Sequence, residues 1–125
     1  MIALQEGRSL ELTHELLQGS IDIHVHPGPH LMSSPRRVDP FQAAQQARDA
    51  GMRAIVLLDV FEMSNGTAWL VNKVVPDFET YGGIIMNTVY GGMNPRAVKT
   101  ALYYGDGAKY VSFGAHSTYY QAAKE

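Results

Sequence analysis

Three of the five histidines fall within seven positions, in the segment GSIDIHVHPGPH at residues 19–30. His24 and His26 belong to an alternating run, Ile21-Asp22-Ile23-His24-Val25-His26, which reads as a short strand with Asp22, His24 and His26 on one face. Histidines at i and i+2 of a strand stand about 6.5–7 Å apart at Cα, so their imidazoles can lean together onto one ion. Nitrogen and oxygen donors in that arrangement suit a divalent metal, zinc first, with manganese or nickel as alternatives. Asp22, one step deeper, is placed to orient a ligating imidazole. The competing reading is structural: a His-x-His pair can simply hydrogen-bond inside a barrel. Pro27-Gly28-Pro29 stops the strand where a ligand must enter.

The elements that must position these residues alternate between helix and strand. Residues 9–18 read as a helix closed by Gly19, and residues 21–26 as the first strand. Asp39 as N-cap, with Pro40 at the first helical position, opens a helix over 41–50 that Gly51 ends. RAIVLLDV is a continuous apolar run of strand length, the pattern of a strand buried on both faces of a parallel sheet. Ser64-Asn65-Gly66 turns the chain into the helix TAWLVNKVV, and YGGIIMNTV is the third strand. Asn94-Pro95 repeats the capping device for RAVKTALYY, and Gly105 and Gly107 release the chain into a fourth strand, KYVSFGA. The last residues, HSTYYQAAKE, read as the start of another helix capped by Ser117 or Thr118.

The strand centres are about thirty residues apart, the size of a βαβ unit. Four such units in series imply a parallel sheet with helical crossovers. A complete (β/α)8 barrel needs about 250 residues, so a chain of 125 residues makes about half of one. The expected architecture is therefore a single α/β domain over residues 1–125. It consists of an N-terminal helix (1–18) and four βα units (19–125), half of a TIM-type barrel.

In parallel α/β folds, chemistry gathers at the C-terminal ends of the strands. Those ends carry His24 and His26, Asp59, Asn87 and His116. On the fourth strand Ser112, Gly114 and His116 oppose Val111, Phe113 and Ala115, which turns His116 toward the space occupied by His24 and His26. His116 is thus a candidate third ligand, and with Asp59 it is one of two candidate general bases. Asn87 and Arg36 are candidate substrate contacts, with Arg36-Arg37 a possible anion site. Plainer roles exist for each: Asp59 as a cap for the next segment, Asn87 as a partner of loop backbone, His116 as a structural residue at a helix entry, the arginines as surface. Gly82-Gly83 and Gly91-Gly92 lack the spacing of phosphate-binding loops and read as turns or close-packing positions.

Composition narrows the function classes. Ten basic against twelve acidic residues give a net charge of −2 with no basic run, so nucleic acid is not an expected partner. Cysteine is absent, which excludes disulfides and thiolate metal sites. The N-terminal segment is too charged for a signal peptide, and no apolar run is long enough for a membrane span, so a cytoplasmic location is the default expectation. A small-molecule substrate fits this profile. A half barrel leaves its outer strands with unpaired backbone groups, which predicts self-association into a homo-oligomer.

Asp22-Ile23-His24-Val25-His26 at the end of a first strand resembles the first-strand metal motif of the amidohydrolase superfamily, metal-dependent hydrolases built on (β/α)8 barrels. QARDAGMRAIVLLD and YGGIIMNTVYGGMNP extend the resemblance over most of residues 19–120, toward an uncharacterised amidohydrolase-like branch. The likeness implies that His24 and His26 are metal ligands and that the reaction is hydrolysis of an amide, cyclic amide or ester by metal-activated water. His-x-His is shared with histidinol-phosphatase-like phosphoesterases and TatD-like nucleases, so a phosphoester is the alternative substrate. A non-catalytic half barrel that binds metal or ligand and acts through oligomerisation is the alternative of another class. The related branch often has a Lys and a His near the positions of Leu58 and Val60, which are apolar in this sequence, so the resemblance does not extend to a second-strand ligand.

Overall fold

In the computed structural model, which describes residues 2–114, 118, 119 and 123, the chain alternates as the sequence implies. It runs α1 (Ile2–Leu17), β1 (Ile21–Val25), α2 (Pro40–Asp49), β2 (Ala54–Leu57), α3 (Asn65–Val74), β3 (Glu79–Ile85), α4 (Pro95–Tyr103) and β4 (Tyr110–Ser112), with a single 3-10 turn at Thr88–Tyr90. The strands are parallel and lie in the order β1-β2-β3-β4, a curled half barrel with helices alternating between strands.

The apolar run of β2 sets this arrangement, because all four of its residues are buried. Ile55 and Leu57 pack outward against Ala44 and Ala47 of α2 and Ala68 and Val71 of α3. Val56 and Leu58 face the other way, into a second cluster with Ile85, Tyr81 and Tyr110. A third cluster seats Ala101 of α4 on Ile84 and Met86. The two inner strands, β2 and β3, thus carry a helix layer on one side and the barrel interior on the other, the condition under which parallel strands read as unbroken apolar runs.

Local chemistry starts the helices. Asp39 accepts the Gln42 N–H at 2.8 Å while the Gln42 side chain accepts the Asp39 N–H at 3.0 Å, a full capping box with Pro40 behind it. Asn94 accepts the N–H groups of Arg96 and Ala97 at the start of α4. α3 begins differently. Ser64 occupies the capping position but its hydroxyl donates to the Leu57 carbonyl at 2.6 Å and accepts the Gly83 N–H at 3.0 Å. The β2–β3 ladder ends at Leu57–Gly82, and the hydroxyl supplies the next rung, so the chain can leave β2 while the sheet stays closed. Gly82 allows this: a Cβ there would lie 2.4 Å from the Asn65 backbone, so α3 starts pressed directly on β3.

Several boundaries differ from the sequence reading. α1 begins at Ile2 rather than residue 9, since the first residues are mostly good helix formers. β3 ends at Ile85 because Asn87 leads into the Thr88–Tyr90 turn. β1 carries one irregularity of consequence. Asp22 is level with Ile55 and Val25 with Leu57, three steps against two, so the strand bulges between Asp22 and Val25. The two outer strands leave Ile23 65% and Phe113 75% exposed, because no element of the described residues covers those flanks.

Candidate functional site

β1 delivers the two histidines to the C-terminal rim of the sheet. The Nε2 atoms of His24 and His26 lie 2.9 Å apart, with ring centroids at 4.8 Å and planes inclined by 64°. The imidazole edges therefore converge on one point, as the i, i+2 spacing requires. Two nitrogens on one tetrahedral zinc at 2.0–2.1 Å stand about 3.3 Å apart, so an ion would need these rings to part by roughly 0.4 Å. The pair fits as two ligands of such a set. Among the described residues no third His, Cys, Asp or Glu joins it to form a metal cluster. His116, expected as a third ligand or a base, and Ser117 lie outside the described residues.

Asp22 does not orient an imidazole. Its Oδ1 accepts the backbone N–H of His24 at 2.9 Å. The bulge explains the difference: with an extra residue in β1, strict alternation fails, and the carboxylate closes over the irregular backbone instead. The polar group beside the His26 ring is instead the Leu58 backbone. At 2.9 Å the two Nε2 atoms form one hydrogen bond, so one ring donates and the other's lone pair points at it. The His26 pKa is held below its ordinary 6.5. Partial burial is the main cause, and the charges of His24 and Arg36 add to it, against the opposing effects of the Leu58 carbonyl and Asp59.

The β2 rim is organised by Asp59, whose Oδ1 accepts the N–H groups of Phe61 at 2.6 Å and Glu62 at 3.0 Å. This is the capping role weighed for it from sequence, and it leaves Oδ2 without a hydrogen bond among the described residues. Asn87 is not a substrate contact: it is 3% exposed, and its amide donates to the Val60 carbonyl at 3.0 Å. Its Oδ1 is buried without a partner among the described residues, against Gly114, where a Cβ would collide with it. Asn87 therefore braces the β2 loop from the end of β3, the loop-backbone role also open to it from sequence.

Arg36 reaches the rim through the loop after β1. Its Nη2 lies 3.0 Å from His30 Nε2, and the His30 ring packs on Phe61 at a centroid distance of 5.5 Å. Pro29, His30, Leu31, Asp59, Phe61 and Glu62 line a shallow cleft of about 250 Å³ there. Sequence reasoning offered Arg36 as a substrate contact without pairing it with His30, and it missed Phe61, Ser64 and the Leu58 carbonyl. Only the first two carry a side-chain signal that pairing across loops could have used.

No helix among the described residues is long and apolar enough to cross a membrane. No curated protein and no solved structure is significantly similar to the chain. A family model described as "Family of unknown function (DUF6282)" matches residues 19–125, which span the whole half barrel from the start of β1, and the chain belongs to that family.

Proposed function

We propose that this chain is a metal-dependent hydrolase of amide, cyclic-amide or ester bonds in a small molecule, as its resemblance to the amidohydrolase superfamily implies. The observation that carries the reading is the convergence of His24 and His26 Nε2 at the C-terminal end of β1. A divalent ion held there, with zinc the best match to two imidazoles, would supply a Lewis acid for the carbonyl oxygen and a water that ionises near neutrality. His26 contributes a ring that partial burial biases toward the neutral form. Asp59, tied by Oδ1 to its own loop, keeps Oδ2 for accepting a proton on the same rim. Self-association belongs to the same proposal, with a second copy covering the exposed flanks at Ile23 and Phe113.

The test is metal content by elemental analysis of tag-free protein, wild type beside His24→Ala/His26→Ala. Near-stoichiometric zinc, manganese or nickel that disappears in the double variant supports the site. Turnover of an ester and amide panel that is lost with it then supports the reaction. Wild-type protein that stays empty after incubation with metal, or a double variant that retains it, refutes the proposal.

A further inference from the structure

Arg36 stands on the rim with its charge uncompensated. Among the described residues the ion pairs are Arg48–Asp49 and Arg53–Glu79, and Arg36 belongs to neither. Its polar partner is His30 Nε2 at 3.0 Å. A guanidinium only donates, so that nitrogen is the acceptor. The contact therefore positions the fork without cancelling its charge.

The positioning is built from several sides. Phe61 packs on the His30 ring. The loop is closed at its base by the Gly28 N–H donating to the Val38 carbonyl at 2.8 Å, and the Gly28 backbone lies against the Arg36 stem. The two acids that line the cleft are each tied to their own segment through one oxygen rather than to Arg36: Asp59 Oδ1 accepts two N–H groups, and Glu62 Oε1 accepts the Thr67 hydroxyl at 2.8 Å. The electrostatic influence of Arg36 nevertheless extends to His26. A planar fork of donors with no carboxylate, held beside a cleft and within electrostatic reach of the histidine pair, is the arrangement that receives an oxyanion.

We propose that Arg36, oriented by His30, binds a carboxylate or phosphate group of the molecule that reaches His24 and His26, so that the substrates are anionic. This deepens the hydrolase reading and rests on it for the word substrate; the anion site itself needs no metal. The experiment is therefore run on metal-free protein. The His30 ring resonances are followed by NMR during titration with succinate and, separately, with inorganic phosphate, at constant pH and ionic strength. Wild type and Arg53→Gln, which removes an equal charge at the opposite end of β2, are expected to show saturable shifts. In Arg36→Gln the midpoint should rise about two- to five-fold, the scale of one exposed charge pair. Tighter binding of one anion tells whether the group is a carboxylate or a phosphate. Absence of a saturable shift with both anions in the wild type, or an unchanged midpoint in Arg36→Gln, overturns the proposal. The metal content of the histidine variants is a separate result, so the two readings fail independently.

Discussion

Ser64→Ala tests how the rim is held open. The hydroxyl bridges β2 and β3 past the last rung of their ladder: it donates to Leu57, lies 3.2 Å from the Gly83 carbonyl and accepts the Gly83 N–H. Ser64 is 3% exposed, so water has little access to replace it. Removing it deletes two hydrogen bonds worth about 1 kcal/mol each in net terms. It also leaves a buried N–H unpaired, at a further cost of about 1–2 kcal/mol, giving a total loss of roughly 3–4 kcal/mol. That is a large part of the 5–15 kcal/mol typical of a domain. For a chain of this size it lowers Tm by about 12–16 °C. Urea unfolding followed by Trp69 fluorescence and by circular dichroism reads the change as a lower midpoint at constant slope. A loss below about 1 kcal/mol at unchanged slope would refute the reasoning. It would mean that water or closure of the strands satisfies Leu57 and Gly83, and that Ser64 is an ordinary helix-start residue.

Two further outcomes follow from the same geometry. In metal-free protein the His26 ring should titrate below 6.5 by NMR. Because the folded value is the lower one, acid favours the unfolded chain: the stability from keeping His26 neutral is complete above about 6.5 and is lost as the pH falls through the folded value. A His26 titration at or above 6.5 would count against the burial and charge assigned to it. Light scattering at micromolar concentration should give a multiple of 13.8 kDa, with Ile23→Lys/Phe113→Lys shifting the species to the monomer. A monomeric wild type would remove self-association from the proposal.

Much of this molecule is written locally. The Asp39-Pro40 start of α2, the Asn94-Pro95 start of α4 and the buried run of β2 depend on near neighbours and hydrophobic pattern, and all are where the sequence puts them. The spacing of βα units fixes a parallel sheet, since parallel strands cannot be joined by tight turns. Histidines at i and i+2 could be expected to meet, and their Nε2 atoms do. What failed was any inference that needed strand parity to survive a bulge, or a side chain to find a partner across loops. One extra residue in β1 turned Asp22 from the imidazoles to the His24 backbone. Asn87, polar and at a strand end, was drawn inward to brace Val60, and Ser64 left its helix to complete the sheet. The sequence by itself determined the half barrel and the histidine pair, because both rest on short-range spacing. Only the tertiary structure decided which rim groups are engaged and which remain open, because hydrogen-bond satisfaction in a packed interior is settled among residues far apart in the chain.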